Sequence, residues 1–148
     1  MSKLVGIATR TKKRAPMQIL DKAIVSLERG VNTDFRGKPS SRQVTIMSLQ
    51  AWQQANSELK LDLPWTTRRA NLLVDELDLE SSIGKTICIG EVELLVTQET
   101  DPCERMEEAA SGLFDALKVN WRGGVCCRVI HGGQLALNDQ VKLIEKPE

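Results

Sequence analysis

The chain has 148 residues, of which 20 are basic and 20 are acidic, so its formal net charge at neutral pH is zero. This length allows one domain with a sizeable core and is too short for two ordinary ones, so we expect a single domain over residues 1–148. The charge balance excludes a global field that would attract nucleic acid or an anionic membrane surface, so any charged partner must be recognised locally.

The start of the chain and its cysteines indicate the cellular compartment of the protein. No apolar run has the length of a membrane span, and the opening segment MSKLVGIATRTKKRAP lacks the apolar core and cleavage site of a signal peptide. We therefore expect a cytoplasmic protein without membrane contact. Its cysteines are then predicted to be free thiols, because the cytosol keeps them reduced: Cys88, Cys103, Cys126 and Cys127.

The first half of the chain alternates strand patterns with one helix. KLVGIATR predicts a strand and the lysine-rich segment after it a solvated loop, while residues 17–42 predict a short strand and then a long polar connection ending near Arg42. RQVTIMS predicts another strand. Ser48 is a suitable N-cap for a helix over LQAWQQANSELKL, in which apolar residues recur at helical spacing.

The second half is richer in strand patterns. RRANLLV predicts a strand, TICIGEVELLVTQET a hairpin, and the segment after Cys103 a helix or helical pair with Gly112 as the break. The tail GGVCCRVIHGGQLALNDQVKLIEK predicts three strands arranged as a β-meander. About seven or eight short strands with two helical inserts indicate a mainly β fold, a mixed β-barrel with two or three peripheral helices. The absence of glycine-rich βαβ units excludes Rossmann-type and P-loop chemistry.

Cys103 lies where a strand pattern gives way to a helical one. Asp101 is a suitable N-cap and Pro102 is favoured at the first helical position, so Cys103 is predicted in the first turn, where the helix dipole favours a thiolate. Acidic neighbours oppose that charge, and a nearby arginine would decide the balance. The local pattern alone leaves two interpretations open, a reactive thiolate and a small buried residue.

Few other side chains offer chemistry. Cys88 is expected to pack or to face solvent, and the adjacent Cys126 and Cys127 point to opposite faces of a strand, so only one of them can face a given site. His131, the only histidine, is expected at the surface beside a turn. The chain also has too few aromatic residues for a single-stranded nucleic acid site.

Four segments, in this order, resemble the MOSC domain, named for the C-terminal region of molybdenum cofactor sulfurases: GVNTDFRGKPSSRQVTIMS, PWTTRRANLLVDELDL, IGKTICIGEVELLVTQETDPCERM and WRGGVCCRVIHGGQLALNDQVKL. The resemblance covers residues 30–143 and is close to small stand-alone members of bacterial type. It implies a strand-rich β-barrel. It also marks Cys103 as the position of the family's single characteristic cysteine.

The resemblance implies two kinds of chemistry, both at Cys103. In the first, the thiol carries sulfane sulfur from a partner, a pyridoxal-phosphate-dependent cysteine desulfurase, to a molybdoenzyme. In the second, the barrel binds molybdenum cofactor (molybdopterin), Cys103 ligates the metal, and the protein reduces N-hydroxylated compounds with electrons from a redox partner. A barrel that only binds another protein is a third alternative.

The resemblance also implies residues for the cofactor. Arg68, Arg69 and Asn71 match the family's basic-plus-asparagine stretch and are expected to hold the phosphate and the pterin, the alternative being a strand start that faces the surface. Further expected contacts are the backbone near Arg122, Gly123 and Gly124 and, as weaker candidates, Arg36 and Arg42.

The chain departs from the family pattern at three places. Asn138-Asp139 and Thr33-Asp34 stand where the family has Gly-Asp, and Phe35-Arg36 stand where larger members have histidines. Because asparagine tolerates the left-handed conformation, we expect the turn at Asn138 to be retained.

Overall fold

The computed structural model describes residues 2–100 and 104–145. These residues form a mainly β fold with three α-helices and two short 3₁₀ turns. The strands are β1 (Leu4–Thr9), β2 (Gln18–Leu20), β3 (Lys22–Ser26), β4 (Gly30–Val31), β5 (Val44–Ser48), β6 (Leu72–Val74), β7 (Thr86–Ile89), β8 (Val92–Glu99), β9 (Val125–His131), β10 (Gly133–Ala136) and β11 (Val141–Ile144). The helices are α1 (Leu49–Glu58), α2 (Glu104–Ala109) and α3 (Leu113–Lys118), and the 3₁₀ turns are Trp65–Arg68 and Val119–Trp121.

The strands form two sheets. The larger has eight strands in the order β11-β7-β8-β9-β5-β6-β1-β2, and its neighbours are antiparallel except for the parallel pair β5 and β6. The smaller sheet has the order β10-β3-β4. Side chains from both sheets pack into one apolar core, which includes Ile7, Val25, Ile46, Leu94 and Leu135.

The larger sheet is not a closed barrel. An isolated antiparallel bridge joins Lys3 to Gln140, and the Leu4 amide donates to the Asp139 carbonyl at 2.9 Å. This bridge brings the starts of β1 and β11 together. Over residues 2–100 and 104–145, however, no ladder pairs the two edge strands β2 and β11, so the predicted mainly β class is confirmed while the barrel is not shown.

Most of the predicted local elements are confirmed. Helix α1 begins after Ser48, whose hydroxyl accepts a hydrogen bond from the Ala51 amide at 3.3 Å, as expected of an N-cap. The chain after Cys103 forms a helical pair that is interrupted at Gly112, which has φ of 88°. The turn at Asn138 is retained with φ of 76°, because asparagine can adopt the left-handed conformation in place of glycine.

Two predictions about strands were wrong. Residues 17–42 contain three strands rather than one, which brings the described strands to eleven instead of about seven or eight. The tail is not a meander, because β10 pairs with β3 and β11 pairs with β7. At Gly132 the backbone passes so close to β3 that a Cβ atom would lie 2.5 Å from the Val25 carbonyl oxygen, and this crossing takes β10 into the other sheet.

The helices cover one side of the larger sheet and position the segment around α2. A second apolar cluster joins α1, α2 and α3 to β5 and β6 through Met47, Trp52, Leu73, Met106 and Leu117. Since this cluster buries Met106, it fixes the first turns of α2 beside the 3₁₀ turn at Trp65–Arg68. No helix of the described residues is both long and apolar enough to cross a membrane.

Candidate functional site: an arginine-lined cavity

A cavity of about 380 Å³ opens where the end of β1, the 3₁₀ turn before β6 and the start of α2 meet. Seven of its described lining side chains are cationic and one, Asp34, is acidic. The cationic residues are Arg10, Lys13, Arg36, Arg42, Arg68, Arg69 and Arg105; the others are Thr45, Asn71, Gln98, Thr100, Met106 and Cys126. Although the charges cancel over the whole chain, the described part of the cavity lining therefore carries a strong excess of positive charge.

The 3₁₀ turn places two successive arginines in the cavity wall. Arg68 ends the turn and is only 9% exposed, while Arg69 caps it in the left-handed conformation with φ of 65°. The Arg69 guanidinium donates to the Ala15 carbonyl and so ties the basic loop after β1 to the turn. Its Nε is buried without a hydrogen-bond partner among the described residues, which leaves a donor available to a ligand.

Asn71 lies at the same wall, but its side chain is engaged with the backbone. Its Oδ1 accepts from the Thr45 amide at 3.0 Å, and its Nδ2 donates to the Ala8 carbonyl at 3.2 Å. These bonds join the end of β1 to β5 and to the start of β6. Asn71 therefore positions the strands from which the arginines project.

The loop that follows β4 supplies the acid and one wall of the cavity. The Asp34 carboxylate accepts from the Arg10 amide at 3.1 Å and from the Arg36 amide at 3.2 Å, one bond to each oxygen. The Arg10 guanidinium lies 5.9 Å from the centre of the Phe35 ring, which is 42% exposed. Asp34 therefore uses one oxygen to hold its loop against the end of β1 and the other to bond within the loop.

The arginines of the cavity repel one another. Burial is the main cause that lowers the pKa of Arg10; Arg69 and Arg36 lower it further, whereas Asp34 raises it. Burial likewise lowers the pKa of Arg69, followed by the charge of Arg105. A bound anion would relieve both effects, because it would compensate the buried positive charge.

One wall of the cavity carries sulfur instead of charge. Cys126 on β9 is only 3% exposed, and its Sγ lies 3.3 Å from the Thr100 hydroxyl. Cys127 points the other way into the core, where burial and then the charge of Cys126 raise the pKa of its thiol. The predicted alternation is confirmed, and Cys126 rather than Cys127 faces the site.

Cys103 itself lies outside the described residues. Its neighbours in the sequence are informative, because Thr100 before it and Arg105 and Met106 after it all line the cavity. Residues on both sides of Cys103 in the sequence therefore lie at the cavity wall.

Comparison with known proteins identifies the family. The model of the MOSC domain matches residues 32–142. The chain belongs to the MOSC domain family. A search of curated proteins found no match.

Solved structures share the fold of this MOSC domain at low sequence identity. The YuaD protein from Bacillus subtilis is 19% identical with a TM-score of 0.79, and the match covers 97% of this chain and 96% of that one. YiiM from Geobacillus stearothermophilus is 13% identical with a TM-score of 0.78, covering 98% and 76%. YiiM from Escherichia coli is 16% identical with a TM-score of 0.72, covering 99% and 71%.

Three residues expected to contact the cofactor, Arg122, Gly123 and Gly124, are not among the described lining residues of the cavity. Arg122 is not a lining residue of the cavity; its guanidinium makes two bonds to the Glu58 carboxylate, at 2.7 and 2.8 Å, and one to the Ala116 carbonyl. Gly124 has φ of 91°, and a Cβ atom there would lie 2.1 Å from the Ile46 carbonyl oxygen. The close backbone approach at Gly124 is therefore made to β5, and the expected cofactor contacts of Arg122, Gly123 and Gly124 stay predictions.

The Glu58–Arg122 pair gives a testable pH dependence. The pKa of Glu58 is lowered first by its hydrogen bonds to Arg122, so the ionised pair stabilises the fold above the unfolded-state pKa and this contribution is lost as the pH falls through the folded-state pKa. We expect Glu58→Gln to lower the urea midpoint at pH 7 and to have a smaller effect at acid pH. Equal effects at both values would contradict the pairing.

Several residues of the cavity were missed by sequence reasoning. Arg10 ends the segment KLVGIATR, which was expected to be a strand, and Lys13 belongs to the basic run after it, which was expected to be a solvated loop. Asp34 lies in the long connection. The local signal was a basic run directly after a buried strand. Such a run cannot be distinguished from ordinary surface charge until the 3₁₀ turn is known to pack against it.

Proposed function

We propose that this MOSC domain binds a molybdenum-cofactor-type anion in the arginine-lined cavity and uses Cys103 as the thiolate that carries sulfur or ligates the metal. The observation that carries the proposal is that, among the described lining side chains, seven are cationic and one is acidic, in a chain with no net charge. Positive charges gathered around one cavity repel one another, which favours a role in binding an anion there.

The described residues fit the proposed cofactor. Guanidinium forks suit phosphate oxygens, and the unpartnered Nε of Arg69 offers a donor of the kind that a phosphate accepts. Arg10, Arg69 and Arg105 would hold the anionic group, while Thr45 and Gln98 offer neutral polar groups to a pterin. The bound cofactor would supply a metal–sulfur centre capable of redox chemistry.

The described residues would not bind the metal by themselves. They contain no group of three or more His, Cys, Asp or Glu side chains that could hold a metal ion. The metal would therefore arrive within the cofactor, and the protein would add the soft thiolate of Cys103. The flanking positions of Thr100 and Arg105 support this placement.

In the sulfur-carrying role, Cys103 acts by exchange without net oxidation. Its thiolate attacks the outer sulfur of a persulfide on a cysteine desulfurase, the donor's S–S bond breaks, and the donor leaves as a thiolate while Cys103 holds the sulfane sulfur. The positive cavity favours the thiolate form that this attack requires. A molybdoenzyme or its cofactor is the proposed acceptor.

A second candidate function uses the same cavity. If the cofactor stays bound, the domain would reduce N-hydroxylated compounds with electrons from a redox partner. The arginine excess favours this candidate over simple carriage of sulfur, because a carrier needs a thiol but not a site for a large anion.

Arginine substitutions test the binding step. We expect Arg69→Gln and Arg10→Gln each to lower the molybdenum content of protein made in a cofactor-producing host by about tenfold, because each removes a charge-assisted hydrogen bond. Arg128→Gln is the matched control, since this exposed arginine on β9 is not a lining residue of the cavity. Equal molybdenum in all four proteins, or none in any, would overturn the cofactor assignment.

A further inference from the structure

We infer that the arginine-lined cavity also accepts a small sulfane-bearing dianion, thiosulfate being the simplest, as a direct sulfur donor. The inference rests on the proposed function for the role of Cys103. The binding step rests on the described residues alone. The inference assigns the domain a thiosulfate sulfurtransferase activity that needs no protein as the sulfur donor.

The charge of the cavity suits a small dianion. Asp34, its single described acid, already uses each carboxylate oxygen to accept a backbone amide. Arg10 and Arg69 are brought close enough for each to be affected by neighbouring guanidinium charges, and Arg69 retains a buried unpartnered Nε. The three oxygens of a sulfonate group would accept bonds from several of these donors at once.

The two kinds of wall match the two ends of thiosulfate. The arginines offer hard donors for the sulfonate oxygens, whereas the wall at Cys126 and Thr100, whose Sγ and hydroxyl lie 3.3 Å apart, carries sulfur and no charge. A soft, polarizable sulfane sulfur suits the second wall. Thr100 also directly precedes the segment of Cys103 in the sequence.

The transfer balances without another reagent. The Cys103 thiolate attacks the sulfane sulfur, a new S–S bond forms, and the original S–S bond breaks with its electron pair leaving on sulfite. Cys103 then holds a persulfide, and no net oxidation has occurred. The arginines would stabilise the charge that gathers on the departing sulfite, as preorganised donors do at other oxyanions.

Binding and turnover can be measured separately. Calorimetric titration with thiosulfate would report binding, and formation of thiocyanate from thiosulfate and cyanide would report turnover. We expect Cys103→Ser to retain thiosulfate binding but to form no thiocyanate. We expect Arg10→Gln and Arg69→Gln each to weaken binding by about tenfold, and the control Arg128→Gln to match the wild type.

The outcomes separate this inference from the proposed function. This inference would be overturned if the wild type did not bind thiosulfate, or if neither arginine substitution changed the affinity for thiosulfate. If thiosulfate binds without turnover while a desulfurase loads Cys103 with sulfur, the donor assignment is wrong and the proposed function stands. If neither donor loads Cys103, the role of the thiol in both proposals is wrong.

Discussion

Replacing Cys103 by serine is expected to abolish cyanide-labile sulfur on the protein after incubation with a cysteine desulfurase and its substrate. The reason is chemical: a serine hydroxyl cannot form a persulfide or serve as a soft metal ligand. The substitution changes one atom, so we expect the free energy of unfolding to change by less than about 1 kcal/mol. Sulfur release as thiocyanate gives the measurement.

The matched control for this prediction is another cysteine of the same chain. Cys88 is half-buried on β7, and its side chain does not line the arginine cavity. We expect Cys88→Ser to retain the wild-type sulfur load. Equal sulfur on Cys103→Ser and the wild type would show that Cys103 is not the carrier and would move attention to Cys126.

Replacing Gln43 by leucine is expected to destabilise the fold by about 3 kcal/mol. Gln43 is 1% exposed; its Nε2 donates to the Leu27 and Gly37 carbonyls at 2.7 and 2.9 Å, and its Oε1 accepts from the Val129 amide at 2.9 Å. Leucine has a similar volume but would leave these three backbone groups without their partner. Urea denaturation measures the loss.

A glutamine on the surface provides the comparison for Gln43. Gln53 lies on the exposed face of α1, so Gln53→Leu should change the free energy of unfolding by less than about 0.5 kcal/mol. Because Gln43 holds the loop that carries Arg36 and Arg42, its replacement should also weaken anion binding in protein that is still folded. Similar stability losses for both variants would contradict this role of Gln43.

Local elements could be predicted from the sequence because their causes are local. Alternating apolar residues predicted β1, β5 and the β7–β8 hairpin, and the cap at Ser48 predicted the start of α1. The pairing of the strands could not be predicted, because an alternation of apolar and polar residues is compatible with any neighbouring strand. The tail illustrates this: its strand pattern was correct, yet β10 pairs with β3 because Gly132 allows a crossing that no periodicity reveals.

The cavity could be predicted only in part for a similar reason. The family resemblance led to Arg68 and Arg69, which do line the cavity, but Arg10 enters it from the end of another strand and carries no motif. Asn71 lines the cavity with its side chain bound to backbone, a distinction that depends on three-dimensional contacts. The family resemblance therefore located the site but did not define the role of each residue in it.

The departures from the family pattern have a backbone explanation. Thr33 and Asn138, which stand in place of glycine, both have positive φ, 72° and 76° respectively. The turn geometry that favours glycine is thus retained at both places. At Thr33 this conformation is unusual for a β-branched residue, and it is retained in the loop that Asp34 holds against β1.

The central claim is that the arginine-lined cavity and Cys103 form one site for molybdenum cofactor or its sulfur. The most direct test is intact mass together with molybdenum analysis of wild-type protein purified without thiol reductants from a host that makes the cofactor. We expect either one extra sulfur atom that cyanide removes or stoichiometric molybdenum, and in both cases loss of the signal in Cys103→Ser. Protein with unmodified mass and no molybdenum would contradict the claim and leave a domain that only binds another protein.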